Sequence, residues 1–227
     1  MRALLDVHHR GEVPLIRALL IVLLLPVAAL AASGLHNQPV GTKVGGDFAL
    51  GPKKIHLPAG DWTLIARHSW TGTTNAVLQG TNFGGVYLAE IKHGRWRRAA
   101  QAWGNVDPNV TRGWTHRVDP CKKGEKVLDY RDMSQNADNL FCFDVSELRG
   151  YMRRSTAWRQ QAQQWLEEQK VKLPPTVVMV RFAKLDRGYW NEVYYYFDRA
   201  ELTPEQAVKW AEQAAPAVRT GLTTPGP

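Results

Sequence analysis

Residues 176–198 read TVVMVRFAKLDRGYWNEVYYYFD, two β-rich runs on either side of Asp186-Arg187-Gly188. β-branched and aromatic residues suit a pleated surface, and a three-residue loop ending in glycine is a common hairpin connection. Strands are expected over 176–185 and 189–198, paired antiparallel. Side chains alternate across a strand, so Tyr194 and Tyr196 share one face and Tyr195 takes the other.

Moving upstream, STAWRQQAQQWLEEQK (155–170) places Trp158, Ala162, Trp165 and Leu166 at helical spacing on one face. Ser155 is a candidate cap, and Pro174-Pro175 stops continuation. Downstream, Thr203-Pro204-Glu205-Gln206 combines an N-cap hydroxyl, proline at the first helical position and a glutamine that can complete a capping box. The helix it opens is expected to end at Pro216.

The first half of the chain is strand-rich. VYLAEIKHGRWRRAAQAW (86–103) reads as a second hairpin, Val86–Ile91 and Arg95–Trp103 about Lys92-His93-Gly94. Ahead of it, LPAGDWTL (57–64) is a turn running into a strand. Short strands are also expected at Ala76–Gln79, Val127–Tyr130 and Leu140–Val145. Helices that follow strands without interleaving indicate an α+β fold with an antiparallel β-rich core of hairpins, and two amphipathic helices in the C-terminal half.

Residues 18–31, ALLIVLLLPVAALA, carry no charge, follow Arg17 and end in an A-x-A pattern. A cationic start, a short apolar run and a small-residue exit mark a secretory signal, expected over residues 1–31. A transmembrane anchor is the rival reading. It needs about 20 apolar residues, more than this run supplies, and Pro26 interrupts it, so no stable span is expected after cleavage. The rest divides into a flexible leader (32–47), one α+β domain (48–218) and a disordered tail (219–227). In an exported, periplasmic or secreted chain, Cys121 and Cys142 are expected to join as a disulfide across a polar, turn-rich loop.

The chain has 227 residues, a formal charge of +8 and 44% hydrophobic side chains, enough for a sizeable core with a basic surplus. There is no G-x-S-x-G elbow, P-loop, H-E-x-x-H or C-x-x-C, which argues against nucleotide chemistry and the common hydrolase families. Histidines 56, 68, 93 and 116 fall singly, and no cofactor or metal site is expected.

Two clusters stand above that background. Lys92, His93, Arg95, Arg97 and Arg98 gather with Trp96 around the hairpin tip. Arginine forks bind phosphate and stack on aromatics, so an anionic envelope component, phosphorylated lipid or wall polymer, is a candidate partner. Charges that guard a sheet edge would give the same pattern. The second cluster is Trp190, Tyr194 and Tyr196, a candidate aromatic surface; most of the nine tryptophans are expected in the core.

The turn LPAGDW (57–62), the hairpin VYLAEIKHGRW (86–96) and the later pair Cys121 and Cys142 resemble a loose set of uncharacterised exported bacterial proteins. The resemblance spans roughly 48–145 and implies no activity, cofactor or ligand. The functional expectation is a non-catalytic binding or envelope-associated module. Its alternatives are a hydrolase of envelope polymer, using a carboxylate and a histidine brought together by folding, and a subunit of an exported assembly. No nucleic-acid partner is expected.

Overall fold

The computed structural model describes residues 34–72, 80–107, 119–150, 152, 156–186 and 188–223. The expected signal segment (1–31), the strand at Ala76–Gln79, the helix cap at Ser155 and His116 lie outside the described residues.

The chain is β-rich. Eight strands form one antiparallel sheet in the order β1-β4-β5-β6-β10-β9-β8-β7. They are β1 (Lys43–Val44), β4 (Trp62–Thr71), β5 (Asn82–Lys92), β6 (Arg95–Asn105), β7 (Asp129–Asp132), β8 (Asn139–Arg149), β9 (Thr176–Asp186) and β10 (Tyr189–Asp198). A separate small hairpin joins β2 (Phe48–Leu50) to β3 (Lys53–Ile55). Both hairpins expected from the sequence form, β5–β6 and β9–β10. They meet along β6 and β10, with Tyr195 opposite Ala100.

Among the described residues, one helix lies on each face. Helix α1 (Ala157–Glu168) buries Ala162 and Leu166 against Ile65, Ala66, Tyr87, Trp96 and Tyr196. Helix α2 (Pro204–Leu222) and the β2–β3 hairpin cover the other face, where Leu64, Leu88, Phe141, Val180, Phe182 and Tyr195 form the larger core. Alternation holds where it was expected: Tyr195 enters the α2 core, and Tyr196 enters the α1 core.

Three expectations need correction. The leader is not loose: Leu35 and His36 are buried, and Gly41 and Thr42 exchange backbone hydrogen bonds with Leu64 (2.8 and 2.9 Å) before β1. Helix α2 runs through Pro216 to Leu222, so residues 219–222 are helix and not tail. An interior proline costs a helix about 3 kcal/mol. Ala207, Ala211, Ala215, Val218 and Leu222 form one buried stripe that carries the helix past it, since a fully buried Val or Leu returns about 1.5–3 kcal/mol each. Finally, the N-cap of α1 is Thr156, whose side chain makes no capping bond. At α2 the capping box forms as read: Thr203 Oγ1 accepts from Gln206 N, and Gln206 Oε1 accepts from Thr203 N.

Cys121 and Cys142 are joined as a disulfide, Cα–Cα 5.6 Å. The bridge ties the loop before β7 onto β8, and Tyr130 and Arg181 add donors to the carbonyls of Cys121 and Pro120.

Candidate functional site

The β5–β6 hairpin is irregular at the point that matters. Glu90 pairs with Arg98 and Ile91 with Trp96, leaving Arg97 as the extra residue of a β-bulge. A bulge re-aims the side chains around it. Trp96 turns into the α1 core and is 2% exposed. Arg97 and Arg98 both face the opposite side. Strict alternation would have separated these two arginines; the bulge brings them together. The expected aromatic–cation patch is corrected accordingly: Trp96 belongs to the core and not to the surface.

The cations themselves divide into two groups. Lys92, Arg97 and Arg98 line a cavity of about 360 Å³ whose floor is Phe197, Leu202 and Trp210. Glu90 and Glu201 complete the wall. Arg98 pairs with Glu90 at 2.6 Å, Lys92 reaches the same carboxylate at 3.3 Å, and Arg97 pairs with Glu201 at 2.7 Å. Burial alone would raise the Glu90 carboxyl; the adjacent Arg98 and Lys92 charges outweigh it and hold Glu90 below its usual range. The LPAGDW turn completes this unit. Arg98 lies 5.1 Å over the Trp62 ring and donates to the Ala59 carbonyl, while Trp62 Nε1 donates to Pro58 O at 2.8 Å. A Cβ on Gly60 would stand 2.8 Å from Glu90 Oε1, so glycine keeps the turn seated on the ion pair.

His93 and Arg95 point outward at the tip, exposed. The chain after α1 docks beside them: Lys172 N donates to Gly94 O at 3.0 Å, and Trp96 N donates to Lys172 O at 3.1 Å. Exposed Lys170 and Lys172 thereby join Lys92, His93 and Arg95, a convergence of segments far apart in sequence. Sequence reading could not place these two lysines, because only the packing of the strand-edge segment brings them in.

The three residues of the expected aromatic surface share one sheet face. Tyr196 is buried and donates to Gln101 Oε1 at 3.0 Å, so it offers no surface. Trp190 and Tyr194 are half-buried and converge on Glu192. Trp190 Nε1 donates to Oε1 at 3.3 Å and the Tyr194 hydroxyl donates to Oε2. Burial and the Glu192 charge push the Tyr194 hydroxyl well above its usual value, so it remains a donor. Beside it, Arg181 pairs with Asp144 at 3.0 Å; burial raises the Asp144 carboxyl despite that guanidinium.

One pairing escaped the sequence reading. Asp47 and His56 flank the Phe48–Ile55 rung of the β2–β3 hairpin, and Asp47 Oδ1 lies 3.0 Å from His56 Nδ1. A carboxylate can only accept, so Nδ1 is the donor of this bond. Lys54 at 3.1 Å and the Leu57 amide at 3.1 Å also bind Asp47. The pair opens on a cleft of about 510 Å³ shared with Thr220 and Thr223 of the α2 end.

Among the described residues, no three His, Cys, Asp or Glu side chains gather as a metal site, and no helix is long and apolar enough to cross a membrane. No family model, no curated protein and no solved structure matches the chain.

Proposed function

We propose that this is an exported binding module that holds an anionic, partly apolar envelope component, such as a phosphorylated lipid, at the β5–β6 hairpin. The observation that carries the reading is the cavity joining Lys92, Arg97 and Arg98 to the floor of Phe197, Leu202 and Trp210. Three cations above an aromatic–aliphatic base suit a phosphate attached to a hydrocarbon or ring body. The exposed His93, Arg95, Lys170 and Lys172 extend the positive field outward and favour approach to an anionic surface at low salt. Glu201 stands in for the ligand's anion: its exposed pair with Arg97 is of the weak kind that a phosphate can replace. Export accords with the apolar leader and with the disulfide.

The test is sedimentation with vesicles containing phosphatidic acid or neutral phosphatidylcholine alone. Wild type should pellet with the acidic vesicles, and Lys92→Gln/Arg97→Gln should lose most of that binding. Equal binding of the double variant ends the proposal.

A second reading, hydrolysis of an envelope polymer, is favoured by the Asp47–His56 pair on its cleft. The histidine Nε2 would act as base and Asp47 would orient it. Turnover of purified cell-wall polymer, abolished in His56→Ala, supports this reading; no turnover by wild type removes it.

A further inference from the structure

The segment Gly34–Val44 is a strap laid along the rim of β4, and its ionisable side chains are His36 and Lys43. Four hydrogen bonds hold it there. Gly41 N donates to Leu64 O at 2.8 Å, and Leu64 N donates to Thr42 O at 2.9 Å. Lys43 Nζ donates to Thr63 Oγ1 at 2.8 Å, and Arg67 Nη1 donates to the His36 carbonyl at 3.3 Å. At the far end of the strap Val44 pairs with Trp62, the ring beneath Arg98 of the hairpin cavity. Lys43 is exposed, whereas His36, in a 3-10 turn at Leu35–Asn37, is only 8% exposed.

The His36 ring lies in a slot made by two glycines. A Cβ on Gly34 would stand 2.8 Å from Nδ1, and a Cβ on Gly84 would stand 3.0 Å from Cγ and 2.9 Å from the Val106 side chain. Nδ1 is buried there without a hydrogen-bond partner. An imidazolium carries N–H on both ring nitrogens, so protonation in the slot leaves a buried donor unpaired. The charges around the ring do not offset that cost. Arg67 on β4 opposes a second cation, and Asp107, beyond β6, is exposed with one carboxylate oxygen taken by Asn82 Nδ2 at 2.8 Å. Strand β2, which also packs on the turn, brings only Phe48, Ala49 and Leu50. Burial and Arg67 outweigh Asp107 and hold the ring below its ordinary 6.5. A docked strap therefore binds fewer protons than a released one, and release gains as pH falls below 6.5.

We propose that the 34–44 strap is an acid-released clasp: it docks on β4 while His36 is neutral and lets go when the ring takes a proton, freeing the β4 edge at Trp62–Leu64. Amide hydrogen exchange of the full, disulfide-bonded protein at pH 7.5 and pH 5, corrected for intrinsic rates, tests this. The Gly41 and Leu64 amides should lose protection several-fold at pH 5, while the amides of central strand β9 keep theirs. His36→Gln, which gains no charge, should keep its Gly41 and Leu64 protection at pH 5. If that variant does not dock the strap at pH 7.5, the ring resonances of wild-type His36 decide. Their titration midpoint should fall below 6.5 and coincide with the loss of Leu64 protection. The measurement uses no ligand, so its outcome is separate from that of the vesicle test. Leu64 protection that is the same at both pH values, an equal loss in a docked His36→Gln, or a His36 midpoint at or above 6.5 overturns the proposal.

Discussion

Arg97 holds the Glu201 carboxylate at 2.7 Å across the cavity at the base of the β5–β6 hairpin, with both side chains still substantially open to water. Pairs of this exposure contribute about 0–1 kcal/mol to stability. Glu201→Gln is therefore expected to leave the unfolding midpoint nearly unchanged while releasing Arg97 and raising binding to phosphatidic acid vesicles several-fold. Vesicle binding at 50 and 300 mM salt checks this, and the gain should shrink at the higher salt.

The disulfide closes a loop with a sequence separation of 21. In the chain-entropy picture a loop of this size contributes about 3 kcal/mol. Cys121→Ser/Cys142→Ser should lower unfolding free energy by that order in urea titrations. The hairpin cavity lies on other elements, so a folded variant should keep any vesicle binding.

Lys53 is 1% exposed beneath the Tyr189 ring, its ammonium 4.3 Å from the centroid. Burial lowers its pKa from 10.5 to about 8, although Asp186 pulls the other way. The unfolded chain thus binds more protons than the native one between pH 8 and 10.5, and stability rises with pH across that window. The contribution is complete above pH 10.5 and is lost as pH falls through 8, a span worth up to about 3 kcal/mol. Urea unfolding at pH 7.5, 9 and 10 should show this rise relative to Lys53→Met. Parallel curves for the two proteins would contradict it.

Gly51 turns the β2–β3 hairpin with φ +58°, and an added Cβ would stand 2.6 Å from Val106 O. Both the left-handed backbone and the backbone contact oppose a side chain, so Gly51→Ala should cost on the order of 1–3 kcal/mol. Thr203→Ala, which removes half of the α2 capping box, should cost about 1 kcal/mol. Thermal unfolding of the two variants ranks them, and a cost for Gly51→Ala below that of Thr203→Ala would be unexpected.

Much of the fold was legible in periodicity. The β9 and β10 runs, the face taken by each of Tyr194 to Tyr196, the Thr203 cap and the cysteine pair follow from local rules that the tertiary structure keeps. Features that depend on several distant segments were not legible. A bulge cannot be seen in RWRR, yet it sends Trp96 inward and sets Arg97 beside Arg98. Pro216 reads as a stop, because the buried stripe formed by Val218 and Leu222 with the sheet is a long-range gain that outweighs a local cost. Gly34–Asp47 looks unstructured by composition, but Leu35 finds a core and Thr42 and Lys43 find the edge of β4. Asp47 sat in the segment read as leader, and His56 stands just ahead of the LPAGDW turn. Their meeting needed a hairpin as short as β2–β3, whose register no alternation pattern announces. Trp70, Trp103 and Trp190 lie 33 and 87 residues apart in turn, so their rings meet only once β4, β5, β6 and β10 are neighbours.

Among the described residues the sheet ends in β1, two residues carrying Lys43, and in β7, four residues carrying Asp129, Arg131 and Asp132. Beyond β1, the Arg67 amide on the rim of β4 is taken by the Gln161 side chain of α1 at 2.9 Å. Borders so brief and so charged give a second molecule little ladder to extend. Concentrated protein should therefore stay dispersed instead of joining edge to edge.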